Sequence, residues 1–60
     1  MNKITCAIVD DEPLARALLE SYVQKTPFLT LKGQYDSASS ALRDLISDPV
    51  DVAFLDIQMP

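Results

Sequence analysis

Sixty residues, 48% hydrophobic and 23% charged, describe at most one small domain of ordinary globular composition. The net charge of -4, with Lys3, Arg16, Lys25, Lys32 and Arg43 scattered rather than clustered, argues against nucleic-acid contact by this segment; the lack of any histidine excludes a histidine-ligated metal, a Ser-His-Asp triad and a histidine relay within the chain. Cys6 stands alone, so no internal disulfide forms; no apolar run reaches the length of a membrane span, and residues 1–9 carry Asn2, Lys3 and Thr5 where a signal peptide would be apolar, which makes a reducing cytoplasm the expected location.

Residues 4–9, nearly continuous in apolar character, predict a strand buried on both faces, as in a parallel sheet covered by helices above and below. Within it Cys6 reads as a small buried hydrophobe. The acids Asp10, Asp11 and Glu12 follow, and Pro13 is placed for the first turn of a helix. From Leu14 the pattern is helical, with Arg16, Glu20 and Gln24 as a polar stripe and a wide apolar arc containing Leu14, Leu18, Leu19, Tyr22 and Val23. An arc that wide predicts packing on the sheet and on a neighbouring helix. Pro27 closes the segment.

Residues 29–35 alternate, with Leu29, Leu31 and Tyr35 on one side and Thr30, Lys32 and Gln34 on the other. This predicts a half-buried edge strand, protected by Lys32 and bulged near Gly33, the single glycine. Asp36 or Ser37 offers an N-cap for a second amphipathic helix through Ala38, Ala41, Leu42 and Leu45, stopped by Pro49. A last apolar strand is expected from about Val50 to Leu55, followed by Asp56. The order β-α-β-α-β with right-handed crossovers gives a parallel sheet, and the burial patterns place the strands 2-1-3.

That order puts the carboxyl ends of the first and third strands side by side at a topological switch point, where open α/β sheets place their ligands. Asp10, Asp11 and Asp56 are then expected to converge. Two unit charges about 4 Å apart repel by on the order of 4 kcal/mol at an effective dielectric near 20. Such a cluster raises a pKa or binds a cation, and a set of oxygen ligands suits Mg²⁺. With the repulsion offset, one carboxylate is left to attack phosphorus, a role aspartate fills in covalent phosphoryl acceptance. Taken singly, each acid has a plainer reading: Asp11 as a helix cap, Asp10 as a solvated loop acid, Asp56 as a strand terminator. Acids at both strand ends favour the shared site.

The stretches Val9-Asp10-Asp11-Glu12-Pro13 and Leu55-Asp56-Ile57-Gln58-Met59-Pro60 resemble the two signature segments of the receiver domain of two-component response regulators. The wording is most similar to receivers that precede a LytTR-type DNA-binding domain. The resemblance spans all sixty residues. It implies an α/β fold of the flavodoxin-like, doubly wound parallel type, with 2-1-3 as the start of the strand order 2-1-3-4-5. It also implies Asp56 as phosphoacceptor, Asp11 as a direct Mg²⁺ ligand, Asp10 acting largely through a metal-bound water, and the backbone carbonyl of Gln58 as a further metal ligand. Met59 and Pro60 would shape the loop after the acceptor, and no chemistry falls to Glu12. The phosphoryl donor would be a phosphohistidine on a separate sensor histidine kinase, so the segment is a signalling module rather than an enzyme.

A complete receiver continues past Pro60, with a Ser or Thr hydroxyl ending a fourth strand and a Lys ending a fifth. Residues 1–60 are therefore expected to be the N-terminal half of a receiver domain, any DNA contact belonging to a domain outside it. The third strand would then be an unpaired apolar edge, and the isolated segment is expected to self-associate or to be partly ordered. Two other functions compete. A Mg²⁺-dependent phosphatase of the haloacid-dehalogenase type also uses a strand-end aspartate, but it wants Asp-x-Asp where this chain has adjacent acids. An inert interaction segment would use none of the acids for chemistry.

Overall fold

A computed structural model describes residues 3–55. They form β1 (Ile4–Val9), α1 (Pro13–Gln24), β2 (Leu29–Tyr35), α2 (Ala38–Ser47) and β3 (Val52–Leu55). The strands are parallel and lie in the order β2-β1-β3, as the burial patterns predict. β1 is central, and Cys6, Ala7 and Ile8 are wholly buried in it. An uninterrupted apolar run fits that position, because both faces of β1 are covered and neither tolerates a polar side chain.

The chain steps from β1 to one side of it and then crosses back to the other, so right-handed connections put the two helices on opposite faces of the sheet. α1 begins at Pro13, whose missing N–H costs nothing in a first turn. Its inward residues Val23 and Leu19 pack with Cys6, Ile8, Leu29, Leu31 and Phe54 into the main core cluster. The rest of its apolar arc is open: Leu14, Leu18 and Tyr22 recur at every fourth position, and Leu14 is 83% exposed. No second helix covers that stripe among the described residues. The helix ends at Gln24, where the Thr26 hydroxyl donates to the Tyr22 carbonyl at 2.8 Å and Pro27 follows.

β2 alternates between half-buried and exposed residues as expected, but it does not serve one layer throughout. Its register with β1 runs Ile4 to Leu29 and Cys6 to Leu31, then jumps to pair Ala7 with Gly33, leaving Lys32 as the extra residue of a bulge. An extra residue shifts the alternation by one. Leu29 and Leu31 therefore join the α1-side core, whereas Tyr35 turns to the α2 side, where it lines a cavity of about 290 Å³ with Asp44, Leu45 and Asp48. Leu29, Leu31 and Tyr35 do not share a face, contrary to the expectation from alternation alone. Gly33 permits the arrangement, because a Cβ there would stand 2.7 Å from the Tyr35 hydroxyl. Loss of hydration and the nearby Asp44 carboxylate push that hydroxyl's pKa up. Lys32 pairs with Asp48 at 2.6 Å, an exposed ion pair of little energetic weight.

Ser37 caps α2, its Oγ accepting from the Ser40 N–H at 3.2 Å, and Ala41 is the buried residue of the helix. β3 starts at Val52, two residues later than its apolar pattern suggests. A clamp between Thr5 and Asp51 accounts for the delay. The Asp51 carboxylate accepts from the Thr5 N–H at 3.0 Å and the Thr5 hydroxyl at 3.1 Å, while the Asp51 N–H donates to the Thr5 carbonyl at 3.0 Å. A side chain thus takes the place of a ladder carbonyl and sets β3 in register, with Cys6 opposite Val52 and Val9 opposite Leu55.

The hydrogen bonds from the Thr5 backbone and hydroxyl hold the Asp51 carboxyl below its ordinary pKa of 3.8. A folded-state pKa below the unfolded one means the clamp contributes fully above about pH 4 and fades as pH falls through the lower, folded value. Thermal melts between pH 5 and pH 2.5 are expected to show a shallower acid loss for Asp51→Asn than for the unaltered protein. Parallel acid profiles would remove the clamp from the account.

Candidate functional site

The carboxyl ends of β1 and β3 meet at one edge of the sheet, since Val9 is paired with Leu55. The ladder to β2 continues one residue beyond β1, with the Asp10 N–H donating to the Tyr35 carbonyl at 3.0 Å. That bond draws Asp10 into the sheet edge, and the residue is 3% exposed, the one buried charged residue among those described. A buried carboxylate needs donors. One comes from the turn itself: Asp10 Oδ1 accepts from the Glu12 N–H at 2.9 Å, closing an Asx turn immediately before α1.

The roles of the two acids are therefore the reverse of their plainer readings. Asp10 is the buried one and organises the entry to α1, while Asp11 is exposed on the rim. The N-cap position falls on Glu12, whose side chain makes no capping bond. Asp10, two residues upstream, instead holds the N–H of that N-cap residue and so fixes the path of the chain into the helix.

Arg16 holds the same turn from inside the helix. Its Nη1 donates to the Asp10 carbonyl oxygen at 2.7 Å, while its own N–H makes the first helical bond, to the Glu12 carbonyl at 3.0 Å. The sequence pattern assigned Arg16 only to a polar stripe. The available signal was its place in the first turns of α1, because helical side chains lean toward the N-terminus and a long one there reaches the preceding loop.

Asp56 and Gln58, expected as phosphoacceptor and carbonyl ligand, lie outside the described residues, as do Met59 and Pro60. Two of the three expected acids are thus described, Asp10 and Asp11, consecutive at the end of β1. Among the described residues no group of three or more His, Cys, Asp or Glu gathers to hold a metal ion. Cys6 is free and fully buried, and burial pushes its thiol pKa up, away from reactivity. No helix of the described residues is long and apolar enough to cross a membrane.

Comparison with known proteins gives a consistent result. Residues 6–60 match the model of the response regulator receiver domain. The chain is 40% identical over 57 residues to a response regulatory protein of Shewanella oneidensis, covering 95% of this chain and 24% of that protein. It is 40% identical over 52 residues to the sensory transduction protein LytT of Enterococcus faecalis, covering 87% of this chain and 22% of the relative. To the transcriptional regulatory protein BtsR of Escherichia coli it is 40% identical over 57 residues, with 95% and 24% covered. The chain thus spans about a quarter of the length of these relatives. No solved structure matches. Parallel strands in the order 2-1-3, acids at the end of the central strand and a family match across residues 6–60 agree: the chain belongs to the response regulator receiver domain family of two-component signalling.

Proposed function

We propose that this segment accepts a phosphoryl group on Asp56 from a phosphohistidine of a sensor histidine kinase, in the cytoplasm, and that Asp10, Asp11 and the Gln58 carbonyl hold Mg²⁺ beside it. The observation that carries the reading is the pairing of Val9 with Leu55, because Asp10-Asp11 and Asp56 are the next residues along each strand. The donors suit the ion: all are oxygens, and the described pair offers one buried and one exposed carboxylate at the sheet edge.

In the transfer, a carboxylate oxygen of Asp56 forms the new O–P bond as the N–P bond of the donor breaks, and the imidazole leaves with the electron pair. Bound Mg²⁺ would supply positive charge against the phosphoryl oxygens and the clustered acids. Asp10 contributes by holding the turn, Asp11 by facing solvent where a phosphoryl group would arrive. The product carries a phosphoryl group of about two negative charges in place of the single charge of the carboxylate, a net gain of about one, which a complete receiver converts into a changed surface. The wording of the two signature stretches, with likeness to a transcriptional regulatory protein, supports a LytTR-type, DNA-binding output outside this segment. The exposed stripe Leu14, Leu18 and Tyr22, with Val52 and Leu55 on the outer strand, supports self-association of the segment on its own.

Acetyl phosphate with Mg²⁺, followed by intact mass, tests the reading. The unaltered full-length protein is expected to gain one phosphoryl group, and Asp56→Asn to gain none. Labelling that survives the substitution would move the acceptor elsewhere.

A further inference from the structure

We infer that Arg16 is a positioning residue for the acid pair, acting through the backbone of the β1–α1 turn; the inference rests on the reading of Asp10 and Asp11 as metal ligands. The turn is gripped at two points of one residue. The Asp10 side chain takes the Glu12 N–H at 2.9 Å, and the Asp10 carbonyl takes the Arg16 guanidinium at 2.7 Å. With the Asp10 N–H already bound to Tyr35, the backbone donor, the backbone acceptor and one carboxylate oxygen of this residue are all committed. The peptide plane that leads into Asp11 is the one whose oxygen Arg16 holds. Its orientation decides where the exposed Asp11 carboxylate points.

The cost of losing such a partner is known in kind: groups that orient ligands without touching the metal change affinity by roughly 10–100-fold. A guanidinium suits this position because its charge-assisted bond to a carbonyl is strong and its planar fork is held with little loss of freedom. The same charge also opposes a cation nearby. Removing Arg16 thus has two effects of opposite sign on metal affinity, which lets an experiment separate them. If the residue acts only through its charge, Arg16→Ala tightens divalent binding. If it positions the acids, Arg16→Ala weakens it.

The test is Mn²⁺ affinity of the full-length protein, read by paramagnetic relaxation, alongside hydrogen exchange of the Glu12 amide. Alanine keeps the helix propensity of the site, so α1 itself is spared. Arg16→Ala is expected to weaken Mn²⁺ binding about tenfold and to speed exchange at Glu12, with the Ile8 amide and the thermal midpoint little changed. Arg16→Lys, which keeps a charged donor, is expected to recover most of the affinity, a rescue that general destabilisation does not produce. Unchanged or tighter binding by Arg16→Ala overturns the assignment while leaving the acid pair in place. Absence of Mn²⁺ binding by the unaltered protein overturns the acid pair and this assignment with it.

Discussion

Asp10→Asn is expected to leave the fold and its stability intact and to weaken divalent-cation binding by about tenfold or more, whereas Asp10→Ala weakens binding and lowers stability as well. The difference follows from what each oxygen does. The Asp10 carboxylate accepts the Glu12 N–H at the entry to α1, and an asparagine oxygen can accept the same bond. Alanine cannot, and the loss of such a hydrogen bond costs about 1 kcal/mol. The charge is a separate matter. Asparagine removes it from a residue that is 3% exposed, so the repulsion that a cation would relieve falls with it. Denaturant melts and Mn²⁺ titrations on the two variants give the comparison directly. Wild-type affinity in Asp10→Asn would mean that the buried acid is a turn-forming residue and nothing more.

Much of this architecture was legible because local chemistry and tertiary burial agree. β1 reads as a central strand from its composition alone, and Pro13, Ser37 and Gly33 sit where the helix start, the cap and the bulge are found. What composition does not carry is which partner a group meets across the fold. The Thr5–Asp51 clamp joins residues 46 apart, and Asp51 looks from sequence like one more acid in a turn. The bulge was foreseeable, yet its effect on Tyr35 depends on the count of residues opposite β1, which only the paired register supplies. The acid pair is a similar case. Adjacent acids after a strand are equivalent in a sequence pattern, but one more ladder bond buries Asp10 and leaves Asp11 outside. That asymmetry also bears on the phosphatase alternative, in which two carboxylates are separated by a residue rather than split between core and rim. Of the two site residues outside the described ones, Asp56 was reached from its place after the last apolar strand and Gln58 by motif alone.

Ile8→Ala is expected to unfold most of the segment. Ile8 is 0% exposed at the middle of the central strand, and the cluster around it is small: Cys6 and Val23 buried, with Leu19, Leu29, Leu31 and Phe54 partly so. Removing a buried isoleucine to alanine costs about 2–5 kcal/mol, the larger values applying where the walls cannot collapse into the space. Collapse is limited here, because Ile8 is fixed between Gln34 on one neighbouring strand and Phe54 on the other. A unit of this size has roughly 3–5 kcal/mol in total to lose. The appropriate control is Leu14→Ala, which trims an equally apolar side chain that is 83% exposed and should shift stability by no more than about 0.5 kcal/mol. Urea titration followed by far-UV circular dichroism distinguishes the two. If Leu14→Ala proves the more damaging, the outer stripe of α1 is covered by a partner, a second copy of the segment included, and the unit's core extends beyond the cluster around Ile8.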